Sequence, residues 1–230
     1  MSNAGALSKF PEQIHLIGVG GIGSVVLPPL MRMGPRDVVL WDHDDVEPHN
    51  LDYQLIYRPD DIGRPKVEAA LGYLERQGLT SGANVTLRRE RVTSDHANEL
   101  SGIVIMAVDS MAARFDIFRA VCHNPAVLYM LDGRTGGSQF DCFCIERCDL
   151  TQVDFYERLL FPDRQAAPLP CGSRDDSDAA GVVGRVITRT VRQYVRSVLD
   201  KNYEPPPVVR SQLHLDSMQI DTTLKGDIAP

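Results

Sequence analysis

Long apolar runs are missing from this sequence. No stretch approaches the roughly 20 uninterrupted apolar residues that a membrane-spanning helix needs, so no membrane partner is expected. Cysteine is scarce: the five residues include no Cys-x-x-Cys pair, which argues against a thiolate zinc site. An odd count with no signal-peptide pattern argues equally against a disulfide framework, and the expectation is a reduced, cytoplasmic setting. Positive charge is also short. Lys and Arg number 24 against 31 Asp and Glu, a formal charge of −7, so a surface that wraps nucleic acid is not expected, although a local basic pocket is compatible with this balance.

What is present is enough apolar sequence for a core: 43% of 230 residues, the size of one ordinary domain. Residues 1–13 are read as an N-terminal segment, of which Ser2-Asn3-Ala4 looks like the remnant of a cleaved tag. Residues 14–230 are read as one unit. Ile14 to Val19 is a short apolar run ending in glycines, Ile22 to Met33 has helical spacing, and Val38 to Trp41 is a second run, which together make a βαβ unit. Pro65 suits a helix start, and Val67, Ala70, Leu71 and Leu74 form one apolar face before Gly78. Strands are expected at Val85 to Leu87, Ile103 to Val108, Val127 to Leu131 and Gln139 to Ile145, with a helix from about Met111 to Val121. Residues 148–180, rich in Pro, Gly and polar residues, read as an irregular crossover or lid. Val182 to Leu199 returns to helical spacing, and residues 212–225 read as a closing hairpin. The fold class is therefore α/β, Rossmann-like: a mostly parallel sheet with helices on both faces and an antiparallel extension at the C-terminal end.

The chemistry concentrates in a few places. Gly18-Val19-Gly20-Gly21-Ile22-Gly23 lies between a strand and a helix, where glycines let a phosphate approach the helix's positive end. Alone, this loop suits a dinucleotide-binding oxidoreductase, with Asp42 about 20 residues on to hold ribose hydroxyls. The next segment goes further. Asp42-His43-Asp44 is followed by Asn50-Leu51-Asp52-Tyr53-Gln54 and by Gly63-Arg64-Pro65-Lys66, which puts a cation at a helix start; hydride transfer needs none of this density. Asp109 ends an apolar strand, with Arg114 five residues later. Cys171 sits between Pro170 and Gly172, a setting that suits either an exposed nucleophile or an inert loop thiol. Cys142 and Cys144 alternate on one strand face as small core residues.

In the order and spacing of these motifs the sequence resembles the ThiF/MoeB family, the adenylating enzymes related to ubiquitin-activating enzymes. That family pairs a Gly-x-Gly-Gly-x-Gly loop with Asp-x-Asp, Asn-Leu-x-Arg-Gln and Gly-x-x-Lys. The resemblance implies ATP and Mg2+ as cofactors and adenylation of the C-terminal carboxylate of a small ubiquitin-like or sulfur-carrier protein. It implies that Gly18, Gly20, Gly21 and Gly23 cradle the nucleotide, and that Asp42 and Asp44 hold ribose and neighbouring groups. Asn50, Gln54 and Lys66 then face the phosphates, Asp109 recruits the metal, and Cys171 is placed to accept the acyl group. A homodimer is implied as well. Tyr53 departs from the pattern: it stands where the family carries Arg and supplies no permanent charge. The family's paired zinc-binding cysteines are missing too. A non-catalytic nucleotide-binding or scaffold subunit and a NAD-dependent oxidoreductase are the competing readings.

Overall fold

A computed structural model of the chain describes residues 10, 12–136, 139–162, 174–214 and 216–228, with residues 174–177 described in backbone only. Strands β1 (Ile14–Ile17), β2 (Asp37–Trp41), β3 (Asn84–Arg88), β4 (Gly102–Met106) and β5 (Val127–Gly136) pair in parallel, and β6 (Gln139–Glu146), β7 (Val208–His214) and β8 (Gln219–Leu224) extend the sheet antiparallel. The resulting eight-stranded order is β3-β2-β1-β4-β5-β6-β7-β8. Between β1 and β4 the chain reverses the direction in which strands are added. In open α/β sheets the crevice outside the carboxyl ends at such a point is where ligands bind.

Helices α1 (Gly21–Met31), α2 (Lys66–Arg76), α3 (Met111–Val121), α4 (Leu150–Glu157) and α5 (Arg174–Leu199) complete the fold. Two apolar clusters lie on opposite faces of the sheet. One joins Val26, Leu30, Val67, Leu74, Val183 and Ile187 to Leu16, Leu40 and Ile105. The other joins Ile117, Phe118, Val153 and Tyr156 to Val104, Met106 and Phe143. The strand-by-strand alternation that feeds both clusters is why the parallel strands read as continuous apolar runs.

The structure refines three of the sequence expectations, the first being that the first helix ends at Met31 rather than Met33. Helix α1 runs on through Pro28 and Pro29, although proline removes a helical N–H; Val26, Leu27 and Leu30 are fully buried around the prolines, and that packing outweighs the lost bonds. Strand β5 continues five residues past Leu131 because Asp132-Gly133-Arg134, turn-like in composition, pairs with Phe143, Cys142 and Asp141 of β6. The stretch 148–180 is less irregular than its composition suggests. It contains α4, whose N-cap Asp149 accepts bonds from the N–H groups of Thr151 and Gln152, as the side chain of a good cap does. It also contains the start of α5, eight residues earlier than its apolar spacing indicates. Asp175, Asp176 and Asp178, part of the stretch expected to be irregular, fall within that helix. The closing hairpin is present as β7 and β8, and Cys142 and Cys144 are both buried. Among the described residues no helix is long and apolar enough to cross a membrane.

His15, in the middle of β1, is 1% exposed. Its Nδ1 accepts a bond from the Trp41 indole N–H at 3.1 Å. Burial, with the Arg88 charge adding to it, lowers its pKa from 6.5 to about 4. A base depressed on folding contributes stability that is present above the unfolded pKa and lost as pH falls through the folded one, so about 3 kcal/mol is expected to disappear between pH 6.5 and 4. Denaturant midpoints across that interval check it: His15→Asn, whose carbonyl can still accept from Trp41, is expected to flatten the slope.

Candidate active site

The carboxyl ends of β1 and β4 meet at Gly18. Its φ of +91° belongs to the left-handed region, and a Cβ there would lie 2.4 Å from the Ala107 carbonyl oxygen. A Cβ on Gly23 would lie 2.0 Å from the Gly18 carbonyl oxygen. These two glycines therefore fold the turn against itself and against the end of β4. Gly21 is different: a Cβ there would meet nothing within 4 Å. As the first residue of α1, Gly21 presents open space at a helix N-terminus, where unpaired N–H groups and the helix dipole favour an anion.

Asp42, one residue beyond β2, accepts the Val19 N–H at 2.8 Å on one oxygen and the Asp44 N–H at 3.0 Å on the other. The carboxylate thus ties the glycine turn to the loop after β2. Burial raises its pKa, with Lys66 and the two N–H groups opposing. Tyr57 braces the same turn from the other side, its hydroxyl donating to the Val19 carbonyl at 2.7 Å. Nothing in the spacing of the sequence singled out Tyr57.

Lys66 opens α2 and is 8% exposed. Its Nζ lies 2.9 Å from the Asp44 carboxylate. Burial opposes its charge, but the nearby Asp42 and Asp44 carboxylates outweigh burial and hold its pKa above the ordinary lysine value. Asp44 is shifted the other way: burial raises it, and the Lys66 bond and charge, helped by His43 and Arg91, lower it overall. Lys66 is thus a fixed ammonium already paired with an anion that is half open to solvent.

Asn50 is buried in a short 3-10 turn, its Oδ1 accepting from the Glu47 N–H at 2.9 Å and its Nδ2 3.0 Å from His49. Gln54 follows, 5% exposed. Its Nε2 lies 3.8 Å from the point a Gly20 Cβ would occupy, and its Oε1 is buried with no hydrogen-bond partner among the described residues. A buried acceptor left unsatisfied is costly. Tyr53 is half-buried, its ring 6.2 Å from that of His49. Of the two cations nearby in sequence, Arg64 is committed to the buried Asp61 carboxylate at 2.8 Å, and Arg58 is exposed.

Asp109 is exposed in the turn between β4 and α3, two residues beyond the Ala107 carbonyl against which Gly18 packs. The glycine turn and Asp109 therefore share one sheet edge. Asp42, His43 and Asp44 bring three potential ligand atoms within 4.8 Å of one another. Lys66 and Arg91 bond to two of the three side chains, so this trio is a poor place for a divalent ion. Arg89 and Arg91, paired with Asp45 and His43 from the segment after β3, add cations that no sequence motif marked. Cys171 lies outside the described residues.

The profile of the ThiF family matches residues 5–199. The chain belongs to the ThiF family. It is 28% identical over 182 residues to the SAMP-activating enzyme E1 of Haloferax volcanii, covering 75% of this chain and 60% of that protein. It is 31% identical over 179 residues to the sulfur carrier protein ThiS adenylyltransferase of Escherichia coli, covering 76% of this chain and 66% of the relative. The ThiF-family chain therefore spans somewhat under two thirds of these relatives' length. Its fold is shared with PaaA, at TM-score 0.72 and 19% identity over 95% of this chain and 74% of that one. It is shared also with Escherichia coli MccB solved with ATP, at TM-score 0.68 and 18% identity over 95% and 64%.

Proposed function

We propose that this ThiF-family chain uses ATP to adenylate the C-terminal carboxylate of a small ubiquitin-like or sulfur-carrier protein. The observation that supports the reading is that Asp42 ties the glycine turn to the loop whose Asp44 pairs with Lys66, while Gly18 packs against Ala107, two residues before Asp109. The Gln54 amide nitrogen Nε2, 3.8 Å from where a Gly20 Cβ would stand, is a donor beside the glycine turn that suits an anionic phosphate. Asp109 is a hard oxygen donor at the phosphate end of the site. That fits Mg2+, which is commonly held by one or two carboxylates together with substrate phosphates. When bound, the ion neutralises charge on the leaving pyrophosphate.

In the proposed step a carboxylate oxygen of the partner's tail forms a bond to the α-phosphorus, the bond from that phosphorus to the bridging oxygen breaks, and pyrophosphate leaves. The carboxylate is ionised near neutral pH and needs no general base. The chain's own work is to hold the reactants in line and offset their negative charge. Lys66 does so by leaving Asp44 for the phosphates, an exchange that keeps its charge paired throughout. Asp42 maintains the turn and has further lone pairs for ribose. If Cys171 then acts, its thiolate attacks the acyl carbon, the acyl–oxygen bond breaks, and AMP departs with that oxygen while the thiol proton passes to solvent. The symmetric relationship common among oligomers makes a homodimer our proposal for the assembly, and a cytoplasmic setting accords with the free thiols of the four described cysteines.

Mass spectrometry of the carrier after incubation with the chain and Mg·ATP tests this. The expected product is carrier plus one adenylyl group, formed only with a free C-terminal carboxylate. Cys171→Ala is expected to leave that adduct intact and abolish only a covalent chain–carrier species. Tyr53 in place of the family's Arg favours one alternative, a scaffold subunit that binds nucleotide without turning it over. ATP binding with no adenylated carrier would establish that alternative. An oxidoreductase reading is disfavoured by Lys66 and the Gln54 turn, for which nicotinamide chemistry has no use.

A further inference from the structure

Beneath the Asp109 turn lies a buried ionic cluster that the adenylation chemistry does not itself use. Asp132 of β5 is completely inaccessible. Its Oδ1 accepts the Arg114 Nε–H at 3.0 Å, and its Oδ2 accepts the Arg134 Nε–H and the Tyr156 hydroxyl, the latter at 2.9 Å. Burial alone would protonate this carboxyl, but the two guanidiniums outweigh it and keep it ionised. Such a carboxylate with three donors is fully satisfied, as a buried charge must be.

Arg114 also reaches elsewhere. Its Nη2 donates to the Val108 carbonyl at 2.6 Å and to the Gly133 carbonyl at 3.1 Å. Val108 is the residue before Asp109, and Gly133 lies on the neighbouring strand. Arg114 is itself 4% exposed and sits one turn inside α3, so its head group cannot reach a substrate while it makes these bonds. One planar side chain thus pins the backbone immediately before Asp109 to the carboxyl end of β5, and Asp132 fixes that side chain's orientation. On the Gly18 side the same turn is held by close backbone contact with Ala107.

We propose that Arg114, oriented by Asp132, is a positioning residue: it sets the backbone that carries the Asp109 carboxylate and thereby tunes the metal-dependent part of nucleotide binding. The inference rests on the nucleotide site described above. Preorganised ligands bind better because the ordering cost is met in advance. A lysine at position 114 keeps a positive charge for Asp132, but a single ammonium lacks the fixed fork that spans Asp132, Val108 and Gly133 at once. Asp132 retains Arg134 and Tyr156 in that variant, so its charge stays compensated.

The test is calorimetric titration of a non-hydrolysable ATP analogue into wild type and Arg114→Lys, with EDTA and with Mn2+, alongside electron paramagnetic resonance of the bound Mn2+. The expected result is a metal-free affinity within twofold of wild type and a Mn2+ affinity of the nucleotide complex at least tenfold weaker. The pyrophosphate-exchange rate should recover at high metal. Should Arg114→Lys fail to fold, Arg114→Gln, which leaves Asp132 paired with Arg134 and Tyr156 but lacks the guanidinium fork, decides the matter with the same signature. Unchanged Mn2+ affinity in the folded variant, or equal losses with and without metal, overturns the positioning role and leaves the adenylation proposal standing. A wild-type chain that binds no analogue with or without Mn2+ overturns both, and one that binds it equally with and without Mn2+ overturns the positioning role alone.

Discussion

Lys66→Ala is expected to lower adenylation by on the order of 10²–10³-fold, the usual cost of removing one preorganised charge from a site where negative charge is brought together. The fold should survive, because the side chain bonds to Asp44, a carboxylate open enough to be rehydrated once its partner is gone. The effect should fall on the chemical step more than on binding. Backbone N–H groups at the start of α1 still receive the nucleotide, whereas the approach of the substrate carboxylate to the α-phosphate loses the charge that offsets repulsion. A stopped-flow or quench measurement of adenylate formation at saturating ATP, paired with a melting curve, checks this. A variant that keeps wild-type kcat places the phosphate-facing cation elsewhere, with Arg91 and Arg58 the first to examine. Arginine at position 66 is expected to rescue poorly, since its longer planar head does not fit the space of an ammonium bonded to Asp44 at 2.9 Å.

Gly18→Ala is expected to be strongly destabilising, costing roughly 3 kcal/mol or more. Two independent penalties add. The left-handed backbone at φ +91° disfavours any side chain, and the new methyl would sit 2.4 Å from the Ala107 carbonyl oxygen. That carbonyl belongs to a residue whose own N–H bonds to the Ile17 carbonyl at 2.8 Å, so β4 cannot move aside without breaking from β1. Gly21→Ala, one turn away, is expected to behave in the opposite manner. It should fold normally, because its methyl meets open space, but weaken ATP binding by filling the place a phosphate would occupy. Chemical denaturation of the two variants, with ATP titration of each, separates the glycine needed for the turn from the glycine proposed for the ligand.

The parts of the architecture that were legible in the sequence are those in which local pattern and tertiary role agree. β1, β2, β4 and α3 are short apolar or helical runs closed by a glycine, an aspartate or a serine cap, and each appears within a residue or two of its expected bounds, apart from the last two residues read into β1 and β4. The glycine turn, Lys66 at a helix start and Asp109 past a strand end were visible because the carboxyl edge of a parallel sheet dictates what stands there. What escaped was set by partners distant in the chain. Asp132-Gly133-Arg134 looks like a turn until Arg114 and Tyr156 neutralise the aspartate. α4 has no apolar stripe to announce it and depends on its Asp149 cap. Tyr57, Arg89 and Arg91 support or border the site through contacts that cross between loops, and no periodicity encodes those. The opposite lesson comes from Asn50, which the motif assigns to the phosphates: its amide also builds the turn that presents Gln54, a local duty visible only once the backbone is traced.

The most direct test of the account is ATP–pyrophosphate exchange by the purified chain, supplied with Mg2+ and a small carrier protein ending in a free Gly-Gly carboxylate. Exchange of labelled pyrophosphate into ATP that requires the carrier, vanishes when its C-terminus is amidated and is lost in Lys66→Ala is the result predicted. Tight ATP binding without any carrier-dependent exchange, or exchange indifferent to the state of that carboxylate, would contradict it.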